Sequence, residues 1–300
     1  MPARLRQSRF YPLLLLIATG VALGFAPPFA KVAAADGIPM IGFAFWQNLL
    51  GGLLLLLLAT LNGVYPPLKP RHLRYYAISG LITLALPSAM VFLAVSHIGA
   101  GLPSIVYAFP AMLTYIFALS LRMERLAWMR AGGIALGLIG ILMILLPRSG
   151  PVDDATLPWM LLALIAPVSL AAGNIYRTRA WPQDAAPLAL AAGTLLGAAF
   201  WLLLGSAAFD AVHLPAGSID ADWVLAAAGL FACLSFLPYF ELQRVAGPVY
   251  LSQIGYVMAA TSLGIGTFVF GERYGLITWL AAAVIVAGIF LVNRRQQAAR

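Results

Sequence analysis

The sequence predicts an all-α integral membrane protein whose ten transmembrane helices form two inverted repeats of five (5+5). Three observations predict this. Of the 300 residues, 62% are hydrophobic and 9% charged, far outside the ordinary range for a soluble domain. Long apolar runs recur along the chain between short polar or Pro/Gly breaks. The chain also echoes itself at a displacement of 148 residues, with matched residues at equivalent places in the run pattern.

A hydrocarbon core of about 30 Å takes roughly 20 apolar residues per helix, so this length holds about ten spans with short connections. The runs place them at about 10–33, 39–61, 73–97, 100–121, 127–146, 157–180, 187–209, 222–243, 248–270 and 274–292. Turn residues separate them, among them Gly37-Ile38-Pro39, Tyr65-Pro66-Pro67, Gly99-Ala100-Gly101, Trp181-Pro182-Gln183 and Ala246-Gly247-Pro248. The first run follows Arg4, Arg6 and Arg9 and ends near Ala33-Ala34-Ala35, which imitates a cleavable secretory signal. Its length from Phe10 to Ala30, and its place in the repeat, read it as the first span.

Charge placement sets the expected orientation. Fifteen of the eighteen Lys and Arg residues fall on one side of the alternating pattern, leaving Lys31, Arg148 and Arg273 on the other. Positive residues stay cytoplasmic because translocating them is unfavourable. The reading is a multi-pass protein of the bacterial inner (plasma) membrane with both termini cytoplasmic. The net charge of +8 is spread over these connections and forms no aromatic-laced patch, which excludes nucleic acid as a partner.

Cys233 is the only cysteine, so one chain holds no disulfide and no Cys-based metal site. His72, His97 and His213 lie near span ends without a second ligand at metal spacing. No metal and no cofactor is expected. An enzyme would need a clustered acid, base, nucleophile or metal set, and no such set is legible, so the chain is read as a non-enzyme.

The 148-residue shift pairs Gly99 with Gly247, Ser104 with Ser252, Glu124 with Glu272, Arg125 with Arg273, and Gly140-Ile141 with Gly288-Ile289. It also pairs Lys31 with Arg179 and Pro39 with Pro187. The expected halves are residues 1–150 and 151–300. Five spans per half is an odd number, so the second half runs upside down relative to the first, the plan of many secondary transporters. The apolar-Glu-Arg turn Met123-Glu124-Arg125-Leu126, echoed as Gly271-Glu272-Arg273-Tyr274, resembles the EamA branch of the drug/metabolite transporter superfamily. This resemblance covers nearly the whole chain. It implies a carrier of small metabolites, with aromatic amino acids or similar amphipathic compounds as the substrate and the lipid bilayer as the surround. A monomer is the expected working unit.

Proline placement points to a site, because Pro removes a backbone donor and strips the carbonyl four residues earlier of its partner. In lipid that loss is tolerated beside other protein or a wet cavity. Interior prolines occur in span 1 (Pro27, Pro28), span 3 (Pro87), span 4 (Pro103, Pro110), span 6 (Pro167) and span 8 (Pro238), and Pro248 opens span 9. Spans 1, 3, 4, 6, 8 and 9 are therefore expected around a central cavity and the other four as an outer frame, an arrangement the resemblance also implies. The alternative is that these prolines are ordinary membrane kinks.

Helical spacing puts Pro103, Tyr107, Pro110 and Thr114 on one face of span 4, and Ser252 and Tyr256 on one face of span 9. Tyr239 beside Pro238, Asn174 in span 6, and Ser88 with Met90 beside Pro87 complete the candidate substrate ring. Aromatic walls with sparse hydroxyl and amide groups suit a solute with an apolar ring and polar ends. The alternative for each residue is interhelical packing. Gly133 and Gly137 in span 5, like Ala283 and Ala287 in span 10, have the spacing of close helix contact and read as scaffold.

The carboxylates fall in turns and loops, apart from Glu241, whose i,i+3 spacing to Arg244 predicts a local ion pair. Small multidrug pumps of the wider superfamily keep a proton-exchanging Glu in span 1, and none lies there here. An intramembrane acid is the usual proton relay, so the expectation is facilitated movement along the solute gradient. A carrier of sugar phosphates or nucleotide sugars would need cations in the cavity, and Lys31, Arg177 and Arg179 sit near expected span ends.

Overall fold

The computed structural model describes residues 10–91, 109–145, 157–215 and 219–269, together with several helical positions between 276 and 291. Pro103, Tyr107 and Glu272 lie outside the described residues. Among the described residues every regular element is helical. Four stretches are long and apolar enough to cross a membrane: Tyr11–Ala35, Met40–Leu61, Pro187–Ala208 and Asp222–Leu251.

Span 1 is two helices, α1 (Tyr11–Leu23) and α2 (Ala26–Ala35), parted at Gly24-Phe25. Pro27 and Pro28 occupy the first turn of α2, where a missing N–H disturbs no ladder bond of the new helix. The carbonyl that Pro28 leaves without its partner is that of Gly24, and it accepts the Ser262 hydroxyl at 2.7 Å. Span 2 is α3 (Met40–Leu61), started by Pro39 in an extended conformation.

Span 3 begins as α4 (Pro70–Gly80), widens into a π turn over Leu81–Ala85, and continues as helix through residue 91. Pro87 accounts for the widening. A proline ring presses on the carbonyl of the preceding turn, and one looser turn relieves it. In that π register the Leu86 N–H reaches the Leu81 carbonyl, and the next bond would run from residue 87 to Ile82. Pro87 has no N–H to give. The Ile82 carbonyl is instead satisfied by the Ser169 hydroxyl at 2.6 Å.

Helix α5 (Pro110–Ser120) leads to a turn in which Arg122 has a φ of 54°. The Tyr115 hydroxyl accepts the Ala127 N–H at 2.9 Å, and Glu124 pairs with Arg130 at 2.6 Å at the start of α6 (Trp128–Leu145). Span 6 is again broken, into α7 (Leu157–Ala163) and α8 (Ile165–Arg179), with Pro167 in the first turn of the latter. Span 7 is α9 (Pro187–Ala208).

Spans 8 and 9 meet in α10 (Ile219–Leu251), which turns at Gly247 with φ 77° and ψ 178°. A side chain would be strained there, so glycine permits the reversal. Span 8 thus runs past its expected end near 243 as far as Gly247. Span 9 then breaks once more at Ser252-Gln253 before α11 (Ile254–Phe268).

The packing follows from small residues. A Cβ on Gly197 of α9 would stand 2.5 Å from the Tyr76 carbonyl oxygen, and one on Gly80 of α4 2.5 Å from the Ala198 nitrogen. The two helices therefore touch backbone to backbone. Such contact drives helix association in lipid, where apolar burial alone does not. Span 7 was expected in the outer frame; it is instead the most buried of the four long stretches, because its Ala and Gly residues let α3, α4 and α10 close on it. Spans 5 and 10, both expected as scaffold, touch each other through small residues: a Cβ on Gly288 would come within 2.6 Å of the Gly133 carbonyl oxygen.

Candidate functional site

Helical spacing gathers Asn174, Arg177 and Thr178 on one face of α8, and Tyr239, Phe240 and Gln243 on one face of α10. The two faces meet. Arg177 has no accessible surface. Its Nη2 donates to Asn174 Oδ1 at 2.7 Å and to the Tyr239 hydroxyl at 2.5 Å. The guanidinium carbon lies 4.9 Å from the Tyr239 ring centre and 5.7 Å from that of Phe240. A cation over aromatic faces is attracted by their negative quadrupole. Gln243 Nε2 donates to the Asn174 carbonyl and to Thr178 Oγ1, each at 3.1 Å.

Two further helices close the cluster. Asn174 Nδ2 donates to Thr114 Oγ1 of α5 at 3.3 Å. Tyr75 of α4 stacks on Tyr176, the neighbour of Arg177, with ring centres 6.1 Å apart. Spans 3, 4, 6 and 8 therefore converge here, four of the six that carry the prolines. Several buried polar atoms in this region have no hydrogen-bond partner: Arg177 Nε and Nη1, Gln243 Oε1, and the hydroxyls of Tyr75 and Tyr76. Buried polar groups are ordinarily paired, so such a concentration marks a place built for something besides packing.

The structure brings together Asn174 and Tyr239 of the expected ring. Ser88 and Met90 are half-buried just past Pro87. Ser252 sits at the break in span 9, its hydroxyl donating to the Val249 carbonyl at 2.8 Å. Tyr256 turns toward the scaffold: its hydroxyl donates to the Ile134 carbonyl of α6 at 3.1 Å, with its ring over Gly137. Pro110 opens the described part of span 4, and Pro238 lies within α10 beside Tyr239.

Arg177 lies in the last turn of α8, near the span end where the sequence places it, but its side chain is fully buried in the bundle, whereas Arg179, two residues on, is exposed and donates to the Leu121 carbonyl at 3.1 Å. Gln243 and Tyr75 were missed. The available signals were the i,i+3 pair Asn174/Arg177 and the i,i+4 pair Tyr239/Gln243, each of which puts polar groups on one face.

A separate polar cluster clamps the end of α4 to the loop between α8 and α9. Asp184 pairs with Arg71 and also meets His72 Nε2 at 3.1 Å. Although desolvation acts the other way, a backbone N–H, His72 and Arg71 together hold the Asp184 carboxyl below its ordinary value. Glu241 pairs with Arg244 at 2.7 Å, the local pair its spacing predicts. Among the described residues no three His, Cys, Asp or Glu side chains stand together as a metal site. A groove of about 440 Å³ lies on the flank of the bundle at the Pro87 kink, between Leu86, Leu164, Val168 and Ser169. Its leucine and valine lining suits lipid tails.

A helical membrane bundle that buries a cation among amides and tyrosines has the build of a multi-pass transporter. The chain belongs to the EamA-like transporter family, whose model matches it twice, over residues 10–146 and 157–294. It is similar to the uncharacterized inner membrane transporter YedA of Escherichia coli (strain K12), 30% identical over 263 residues, covering 85% of this chain and 82% of that protein. It is also similar to the uncharacterized transporter YvbV of Bacillus subtilis (strain 168), 25% identical over 291 residues, covering 95% and 92%. One solved crystal structure shares the fold with a TM-score of 0.77 at 18% identity, covering 95% of this chain and 98% of the other. The protein is thus a membrane transporter with its family domain repeated.

Proposed function

We propose that this transporter exports aromatic amino acids and similar small amphipathic solutes by alternating access. Its ten spans form two inverted halves, residues 1–150 and 151–300, in the inner membrane with both termini cytoplasmic. Within the family, the chain resembles the bacterial aromatic amino-acid and paraquat exporter YddG. One observation carries the reading: the half-buried Tyr239 sets an aromatic ring beside Arg177, Phe236 and Phe240 while its hydroxyl accepts from Arg177 and donates to Asn174. Aromatic area for contact beside a few fixed polar groups for orientation is the lining that a ring-bearing solute needs.

Arg177 has no accessible surface in this state, so a solute reaches it when α8 and α10 separate. The breaks at Leu164, Gly247 and Ser252-Gln253 are where such a movement bends the spans. The substrate ring includes Ser88, Met90, Tyr107 and Ser252 beside Asn174 and Tyr239, without Tyr256, which is tied to the Ile134 carbonyl of α6, and the prolines at 27, 28, 87, 110, 167 and 238 supply local compliance. The working unit is a monomer. Proteoliposomes loaded with labelled phenylalanine, tyrosine or tryptophan are expected to release them faster than protein-free vesicles. Equal release contradicts the substrate reading.

A carrier of sugar phosphates gains support from the burial of Arg177. A phosphate dianion calls for more than one cation, and among the described residues no other Lys or Arg is fully buried. Thermal stabilisation by a sugar phosphate but by no aromatic amino acid would favour that reading.

A further inference from the structure

We infer that Arg177 is the docking point for a carboxylate of the transported solute, so that the site takes monocarboxylates, amino acids included, and turns away organic cations. This deepens the reading of the Arg177 cluster as the transport site and rests on it.

A guanidinium brings a permanent positive charge, and Arg177 carries it into the bundle with no ion pair among the described residues. Among the described carboxylates, Asp184 is held by Arg71 and His72, Glu124 by Arg130, and Glu241 by Arg244. Intramembrane ionisable residues are expensive and mark pathways. The rings of Tyr239 and Phe240 compensate in part. An anionic solute group would supply the rest.

A guanidinium has five N–H groups. Nη2 is engaged by Asn174 and Tyr239, which fixes the plane of the group. Nε and Nη1 have no hydrogen-bond partner among the described residues, which leaves three N–H groups for an acceptor once the helices part. A carboxylate oxygen at Nη1 would satisfy that nitrogen and cancel the charge. One cation matches one negative charge, which favours a carboxylate over a phosphate dianion.

An α-amino acid also carries an ammonium on the carbon that bears its carboxylate. Gln243 Oε1 is a buried acceptor without a partner, able to take an ammonium N–H and so admit a zwitterion. A quaternary or pyridinium cation has no N–H to offer it and meets the charge of Arg177 directly. The carboxylate assignment therefore separates amino acids from cations such as paraquat, which bulk amphipathic character alone does not.

Thermal unfolding of the purified full-length protein tests this with 3-phenylpropionate, phenylalanine, phenylalaninamide, paraquat and inorganic phosphate as separate probes. The two carboxylates are expected to raise the unfolding midpoint of the wild type, whereas the amide and paraquat leave it unchanged. Arg177→Gln is expected to weaken the apparent affinity for 3-phenylpropionate roughly thirtyfold or more, as loss of one partner of a buried charge pair does, with Arg177→Lys in between. Equal stabilisation by acid and amide, stabilisation by no carboxylate, or stabilisation by phosphate alone overturns the assignment. The acid and amide are compared on the wild type, so a variant that fails to fold leaves that comparison intact. Flux separates the two readings: carboxylates bound through Arg177 but never moved refute the transport reading and leave only carboxylate binding at Arg177. Phenylalanine and paraquat moved at equal rates do the reverse.

Discussion

The Ser169 hydroxyl of α8 donates to the Ile82 carbonyl of span 3 at 2.6 Å, supplying the hydrogen bond that Pro87 cannot. Ser262 does the same for Gly24, the carbonyl left by Pro28, at 2.7 Å. In both cases a kink in one half of the chain is capped from the other half, so the kinks are held by tertiary contacts. Ser169→Ala is expected to leave a buried carbonyl unpaired and to cost about 1–3 kcal/mol. Pro87→Ala restores a backbone N–H within reach of that carbonyl. The double variant should therefore lose less than the two singles combined, by about 0.5 kcal/mol or more. Thermal unfolding of the four proteins in one detergent measures the coupling.

Two glycines of α9 give a matched pair. A Cβ on Gly197 would stand 2.5 Å from the Tyr76 carbonyl oxygen, whereas one on Gly205 meets nothing within 4 Å. Gly197→Ala should destabilise by about 1–3 kcal/mol through overpacking. Gly205→Ala should be neutral or stabilise by roughly 0.5–1 kcal/mol, since Ala loses less backbone freedom in a helix. Melting temperatures of opposite sign relative to wild type check the contact between α4 and α9.

These contacts also mark the limit of what the sequence discloses. Span existence is legible because apolar runs and Pro/Gly breaks are local, and most expected ends fall within a few residues of the helices observed, as for Met40–Leu61 and Pro187–Ala208. The Gly247 turn was legible for the same reason. The neighbours of each span were not. Pro content places α9 at the periphery, yet its pairing with α4 depends on Gly197 meeting Gly80, residues far apart in the chain. Of the site, Asn174 and Tyr239 were legible as polar or aromatic residues in proline-bearing spans. Arg177 was not, because one Arg near a span end looks the same whether it points to water or inward.

Asp184 gives a pH-dependent test. Its carboxyl is held below the ordinary value in the folded protein, so the stability it contributes is present above the unfolded value of about 3.9 and is lost as pH falls through the lower folded value. Asp184→Asn should lower the melting temperature at neutral pH by removing the partner of Arg71 and His72. The gap from wild type should then close as the medium is acidified below about pH 4. A gap unchanged down to about pH 3 would show that the amide disturbs packing and that the charge contributes nothing.

Tyr239→Phe keeps the ring over Arg177 and removes the hydroxyl that accepts from its Nη2. A hydrogen bond to a charged group is worth about 1.5–3 kcal/mol, and the variant should lose about that much in denaturant unfolding. Tyr239→Leu, which also removes the aromatic face, should lose more. Equal losses would mean that the ring contributes no cation attraction.

The central claim is that aromatic solutes cross the membrane past Tyr239 and Arg177. Counterflow tests it most directly: proteoliposomes preloaded with unlabelled phenylalanine are diluted into labelled phenylalanine, with wild type, Tyr239→Leu and protein-free vesicles side by side. The account predicts transient accumulation of label by wild type, at least about tenfold less by Tyr239→Leu given the weight of a buried aromatic anchor, and none by bare vesicles. Wild type that accumulates no more than bare vesicles, or a Tyr239→Leu variant as active as wild type, would contradict it.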